Sequence, residues 1–481
     1  VRLRPPRSPL PLSVPALARA AMPVLLLACC LSCSSGGAVA SGAPDGAPGV
    51  GDRLLPEAGN GGYDVSHYGL DLSYDPVGGR LSGTAVVSAT ATQSVSRFDL
   101  DLSGLTVGAV TVDGRPAKFR RFGTELTVQP ARQLTRGDRF QATVTYAGVP
   151  QLLTDADGSH EGWFRTDDGA LALGEPVGSM AWFPGNDHPS DKAAYDITVS
   201  VPAGLSVVSN GELAGTTTAG GRTAFHWRVT APMATYLATV GIGHYDVTRG
   251  RTRSGVPLYE AVDPRSDDPR TAAAVKRLPE ILDWESTLFG PYPFASSGVV
   301  VDHLPRGLGG YALETQNRPS FPGDSGPPAV QLDTLVHELS HQWFGDWVTP
   351  ASWQDIWLNE GFATYAEWLW TQHEGGTSVD RSAADAFAAE ATWAFPPAAP
   401  PSAAELFAAP VYSRGALVLY ELRRAMGDRA FSTLLRTWPA AHAGGTADTA
   451  DFTAFAQRLT THDLTPLLRT WLYGKAKPAH L

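Results

Sequence analysis

Five consecutive residues, His337-Glu338-Leu339-Ser340-His341, carry the most specific chemistry in this chain. On a helix, residues four apart lie one turn apart on the same face, so both imidazoles can reach one ion. Glu338 then stands beside any water on that ion. A third donor follows after 18 intervening residues: Glu360, within Trp357-Leu358-Asn359-Glu360-Gly361-Phe362-Ala363. That gap lets the first helix end near Gly345, a loop cross, and a second helix deliver the carboxylate. Two histidines and one glutamate, with the fourth position left to water, form the open geometry of a catalytic zinc rather than the closed set of a structural one. Such a site lowers the pKa of bound water to about 7 and polarises a carbonyl. Each motif alone has a plainer reading, surface histidines or a glutamate favouring a helix dipole; their spacing argues against it.

The elements that must hold these residues separate into two textures. From Tyr63 to about Thr248 the chain alternates with period two in short runs: Leu81–Thr90, Glu125–Val128, Phe140–Tyr146, Tyr195–Val201 and Thr223–Val229. Turn pairs such as Asp113-Gly114 and Asn210-Gly211 punctuate them. This pattern predicts an antiparallel β-sandwich or saddle. Beyond it, helical spacing appears over Ala272–Leu288, interrupted by Pro279, then a short strand over Val299–Asp302. Helices are expected over Leu332–Trp343, Asp355–Gln372, Arg414–Met426 and Asp451–Leu459. The fold class is therefore multidomain α+β: a β-rich domain over 62–250 and a mostly helical domain over 251–481. The tryptophans 343, 347, 353, 357, 368 and 370 read as core packing. His226, inside a strand, and His303 read as structural or solvent-facing.

The chain has 481 residues, 43% hydrophobic and 18% charged, which suits folded domains rather than a disordered polymer. A net charge of −11 argues against a nucleic-acid partner. All three cysteines, Cys29, Cys30 and Cys33, fall near the start, so neither disulfides nor a cysteine-ligated metal hold the body together. Arg2, Arg4, Arg7 and Arg19 precede the short apolar stretch Ala20–Ala28, the pattern of a secretory signal over 1–33. Nine apolar-stretch residues are too few to span a bilayer. Leu26-Leu27-Ala28-Cys29 resembles a bacterial lipobox, so the expected location is outside the cell, secreted or held to the membrane by lipid on Cys29. Residues 34–61, rich in Gly, Ala, Ser and Pro, read as a flexible tether.

The block His337–Trp347 followed by Trp357–Tyr365 resembles the signature of the zinc aminopeptidases that include aminopeptidase N and leukotriene hydrolase. The resemblance continues over Trp182-Phe183-Pro184-Gly185-Asn186-Asp187-His188-Pro189 and Tyr195-Asp196-Ile197-Thr198, with His188 where an acidic residue is usual. It implies a thermolysin-like catalytic domain with His337, His341 and Glu360 holding one Zn²⁺ per chain and Glu338 as acid–base. The family's Gly-Ala-Met-Glu-Asn motif appears as Tyr311-Ala312-Leu313-Glu314-Thr315, of which Ala312 and Glu314 match. Glu314 thereby takes the place of a glutamate that binds the substrate's free α-amino group. Glu175, eight residues before Phe183, takes that of a second. Tyr412, opening Tyr412-Ser413-Arg414-Gly415, takes that of a tyrosine donating to the developing oxyanion. Trp471-Leu472-Tyr473-Gly474 resembles the end of the family's catalytic domain, and a more open cleft than in longer relatives is expected.

The implied activity is hydrolysis of the N-terminal peptide bond of peptides with a free amino terminus. Two readings stand beside it. One is an endopeptidase using the same zinc, which would be indifferent to N-acetylation; the other is a surface-tethered binding protein whose zinc site is vestigial.

Overall fold

The computed structural model describes residues 44–266, 268–323 and 328–481, which belong to one compact unit. The expected signal and lipid-attachment cysteine lie outside the described residues. The chain's first half is built on an eight-stranded sheet in the order Glu212–Ala219, Arg222–Ala234, Lys192–Pro202, Tyr63–Asp75, Arg80–Ala91, Arg139–Gly148, Thr106–Val112, Arg115–Pro116. It is antiparallel except where Tyr63–Asp75 and Lys192–Pro202 run parallel. In Tyr63–Asp75 the buried positions are Tyr63 and Val65, then Tyr68, Leu70, Leu72 and Tyr74. An irregularity between Val65 and His67 changes the phase, because one extra residue in a strand turns every later side chain to the other face.

A five-stranded sheet packs against it, ordered Ser206–Ser209, Val240–Gly243, Ala170–Leu173, His160–Arg165, Leu152–Thr154. Tyr74 on Trp163, at 5.2 Å between centroids, joins the layers, and Tyr68 packs on Phe183 of the connecting segment at 5.6 Å. Ala170–Leu173 is buried on both faces, and the chain leaves it directly into Glu175.

The two halves change over earlier than the sequence texture suggests. Asp246–Arg251 does not join the five-stranded sheet. It pairs with Pro257–Val262, and Ser297–His303 and Ser320–Gly323 follow in parallel. The change of sheet falls at residues 244–245, because alternation in a strand cannot reveal which sheet the strand will join. The helices Leu332–Ser340, Trp357–His373, Gly415–Met426 and Asp428–Ala441 then pack in succession on one another. Trp343, Trp353, Trp357 and Trp370 are fully buried and Trp347 and Trp368 partly so, as core packing requires.

The tether reading of 34–61 does not hold for residues 44–61, which are bound to both halves. Asp52 is buried and accepts hydrogen bonds from its own neighbours, Leu54 N at 2.7 Å and Leu55 N at 3.0 Å. It also accepts from Trp353 N at 2.8 Å, Ser352 Oγ at 3.0 Å and His188 Nε2 at 3.2 Å. Ser190 N, which can only donate, points to His188 Nδ1 at 3.2 Å, so the ring proton sits on Nε2 and is given to Asp52. Burial raises the Asp52 pKa, but the bonds from His188, Leu55, Trp353 and Leu54 outweigh it and hold the carboxyl well below the usual range. His188, the departure noted in the sequence, thus has its carboxylate partner in the N-terminal segment.

Candidate metal centre and active-site cavity

His337 and Glu338 lie in the last turn of Leu332–Ser340, and His341 caps its end in helical conformation. The next helix, Trp357–His373, brings Glu360 in its first turn. Ligand atoms of His337, His341 and Glu360 lie within 4.8 Å of one another. His337 Nε2 is 3.0 Å and His341 Nε2 3.7 Å from Glu360 Oε2. The outer ring nitrogens fix the tautomers. His337 Nδ1 meets Glu367 Oε1 at 2.5 Å, and His341 Nδ1 meets the carbonyl of Phe344 at 3.0 Å. Both partners accept only, so each Nδ1 carries a proton, and each Nε2 is left facing Glu360, where it would give its lone pair to a bound metal ion. Burial lowers the His337 pKa, but Glu360 and Glu367 prevail and raise it well above the ordinary value; the pocket asks for positive charge. Two imidazole nitrogens and one carboxylate oxygen at this separation are a donor set that zinc accepts with a position left open.

Two close backbone approaches make this convergence. Gly345 turns the chain after His341 with φ +140°, and a side chain there would meet Asn359 Nδ2 at 3.0 Å and Glu314 Oε1 at 3.4 Å. Gly361, next to Glu360, faces Gly415 so closely that an added Cβ would lie 2.8 Å from the Gly415 carbonyl carbon. That contact draws in Tyr412, in the wide turn Pro410–Arg414, whose ring stacks at 6.0 Å on His337. Arg414 locks the turn to the C-terminal segment through Trp471 O at 2.9 Å, Thr470 O at 3.1 Å and Gly474 O at 2.5 Å.

Glu314 and Glu175 complete the group. A bridge between Leu313 and Ser320 anchors Glu314 beside the small sheet's edge. Its carboxylate accepts from Asn359 Nδ2 at 3.4 Å. Glu175 carries no donor on Oε1, and Tyr311 Oη donates to its carbonyl at 2.6 Å. Ligand atoms of Glu175, Glu314 and Glu360 lie within 4.8 Å of one another, as do those of Glu314, Glu338 and His341. Burial, reinforced by the neighbouring carboxylates, raises the pKa of Glu175 and Glu338 well above the ordinary value. For Glu314 burial likewise raises it while His341 opposes. Tyr412 is held neutral by burial and by Glu360, Glu175, Glu314 and Glu338, so it is a proton donor throughout the neutral range.

All seven residues singled out in the sequence line a single cavity of about 190 Å³, together with Tyr311, Ala312 and Phe407 and with Asp155, Asp157 and Ser159. The structure adds four positioning residues that sequence reading missed: Glu367, Asn359, Arg414 and Lys192. Lys192 Nζ, from the β-rich half, donates to Asp346 O at 2.9 Å, Trp347 O at 3.2 Å and Gly445 O at 3.3 Å, tying that half to the turn after His341. Glu367 had a legible cue, being two helical turns after Glu360. His226 and His303 stand apart from the centre; His226 Nε2 meets Asp196 Oδ1 at 2.7 Å, and His303 Nδ1 meets Ser266 Oγ at 3.3 Å.

Residues 329–471 match the peptidase family M1 domain and residues 64–237 the peptidase M1 N-terminal domain. The crystal structure of an M1 zinc metallopeptidase from Deinococcus radiodurans superposes with TM-score 0.80 at 31% identity, covering 89% of this chain and 98% of that one. A mutant of that Deinococcus radiodurans enzyme bound to a Tyr-Ser-Ala substrate superposes with TM-score 0.79 at 30% identity, over 89% of this chain and 98% of that one. Aminopeptidase M1-C of Oryza sativa subsp. japonica is 29% identical over 65% of this chain and 38% of its own length. Endoplasmic reticulum aminopeptidase 1 of Homo sapiens is 26% identical over 76% of this chain and 42% of its own length. The chain thus spans about two-fifths of the length of these two curated relatives.

Proposed function

The chain belongs to peptidase family M1, and we propose that it is a zinc-dependent aminopeptidase that removes the first residue of peptides with a free amino terminus. The observation that carries this reading is the convergence of Glu175 and Glu314 with Glu360, ligand atoms within 4.8 Å, at the metal end of the cavity. Two buried anions beside a hydrolytic centre favour a substrate that brings its own cation, the terminal ammonium, and disfavour a blocked one.

Zinc held by His337, His341 and Glu360 supplies a Lewis acid for the scissile carbonyl and an acidified water. Glu175 and Glu314 hold the ammonium and so place the first peptide bond beside Glu338. Glu338 accepts the proton of the attacking water and passes it to the leaving amine, a role suited to a carboxyl whose pKa burial has raised. The Tyr412 hydroxyl donates to the oxyanion as it develops. Glu367 and the Phe344 carbonyl keep the two histidines in register throughout. Related M1 metallopeptidase structures, one from Deinococcus radiodurans with a bound Tyr-Ser-Ala substrate and one with bound L-arginine, support peptides as the substrate class. Glu338→Gln is the test: the variant keeps one zinc per chain by elemental analysis and loses about 10²- to 10⁴-fold in kcat, the usual worth of a general acid–base group. A zinc-loaded Glu338→Gln protein with undiminished turnover contradicts the assignment.

For location we propose export, secreted or with lipid on Cys29. Its support is the basic, apolar and small-residue succession before residue 34. Mass spectrometry of the mature N-terminus checks it: an acylated Cys29 agrees, and an uncleaved leader does not.

A further inference from the structure

Zinc ligation and amine binding leave one wall of the cavity unexplained. That wall is the hairpin of Leu152–Thr154 and His160–Arg165, with the loop Asp155-Ala156-Asp157-Gly158-Ser159 between them. Asp155, Asp157 and Ser159 line the same cavity as Glu175, Glu314 and the metal ligands. The loop holds its own shape: Gly158 N donates to Asp155 O at 2.9 Å, and Ser159 N and Oγ donate to Asp157 Oδ1 at 2.8 Å and 2.6 Å.

Behind the loop stands Glu161, 0% exposed. Its Oε2 accepts from Val177 N at 2.8 Å, while Oε1 receives no donor. Burial raises the pKa of both Asp155 and Glu161, and the charge of Asp155 raises that of Glu161 further. Buried acids that raise one another's pKa in this way favour a proton or a cation beside them. Asp155 also borders a neighbouring cavity of about 440 Å³ that Glu161 and Glu57 line. Neither lining contains a lysine or arginine among the described residues. No three ligand atoms of the loop converge as those of the metal centre do, which argues against an inorganic ion at this place. Tyr311 connects the two ends: its hydroxyl is on the Glu175 carbonyl, and after burial itself the charges of Glu161, Glu175 and Asp155 are what raise its pKa.

We propose that Asp155, backed by Glu161 and flanked by Asp157, receives the cationic side chain of the substrate's first residue, so that the enzyme prefers peptides beginning with lysine or arginine. The inference rests on the aminopeptidase reading, which fixes that residue's α-amino group at Glu175 and Glu314. Lysine and arginine carry a second cation on a long side chain away from the α-amino group, and Asp155 and Asp157 are the acids of the cavity lining that zinc, the amine and the proton transfer leave unused.

The test is kcat/KM of the zinc-loaded enzyme on aminoacyl coumarin amides of lysine, norleucine, Nε-acetyl-lysine, arginine and citrulline. The expected result is a preference of about tenfold or more for each cation over its neutral isostere, shrinking as salt rises, as for other partly desolvated charge pairs. Asp155→Asn and Asp157→Asn should each lower the lysine-to-norleucine ratio. Should Asp155→Asn fail to fold, the Asp157→Asn ratio decides. A wild-type enzyme that treats lysine and norleucine alike overturns this inference and leaves the aminopeptidase reading standing. A preference that survives both substitutions overturns the assignment to the hairpin. Silence on every free-amine substrate, whatever its side chain, removes the aminopeptidase reading and this inference with it.

Discussion

Replacing Asp52 by alanine tests whether the N-terminal segment is part of the folded body. The wild-type carboxylate receives the amides of Leu54, Leu55 and Trp353, the hydroxyl of Ser352 and the Nε2 proton of His188. Leu54 and Trp353 are buried, so their amides find no water when the carboxylate is gone, whereas Leu55 is half-exposed and does. An orphaned buried donor costs about 1–3 kcal/mol, which puts Asp52→Ala at about 2–6 kcal/mol for the two amides. His188, 2% exposed, loses its partner as well and places the expectation in the upper half of that range. The pH dependence has a fixed sign. The folded pKa of Asp52 is depressed, so its contribution is fully present above the unfolded value of about 3.9 and is lost as pH falls through the folded value. Urea unfolding of the zinc-loaded protein, followed by tryptophan fluorescence at pH 7 and repeated at pH 4 and below, gives both numbers. A loss under about 0.5 kcal/mol, the size of an ordinary surface change, refutes the reasoning and returns residues 44–61 to a tether.

Tyr412→Phe removes one oxyanion donor and nothing from the metal, so kcat should fall by about 10²- to 10³-fold with zinc retained; stopped or steady-state kinetics at saturating substrate check it, and an unchanged kcat denies the tyrosine its role. Glu367→Ala frees the outer nitrogen of His337, and zinc affinity measured by chelator competition should weaken by about 10- to 100-fold, with activity restored by added zinc.

The cluster of His337, His341 and Glu360 was legible because sharing one ion demands fixed spacing: two histidines one helical turn apart, and a glutamate on the next helix. Period-two alternation likewise exposed the strands of the β-rich half, including Arg80–Ala91 and Lys192–Pro202. What the sequence hid depends on distant partners. Glycine-, alanine- and proline-rich composition around Asp52 reads as a tether, yet one carboxylate there gathers donors some 300 residues away. The helix Asp428–Ala441 carries Pro439 near its end and went unread, since proline normally argues against a helix interior. Val379–Ala388 buries only Val379 and Ala383 and so offers little periodicity. Arg414, adjacent to a recognised tyrosine, gives no local cue that its guanidinium closes on the carbonyls of residues 470–474, because that contact exists only after the C-terminal helices have docked.

Glu175 and Glu314 are proposed to read a free amine beside the metal. The most direct measurement is hydrolysis of matched aminoacyl and N-acetyl-aminoacyl amides by zinc-loaded protein. The account predicts cleavage of the free-amine set alone, abolished by a chelator and restored by zinc. Equal cleavage of both sets would contradict it and make the enzyme an endopeptidase.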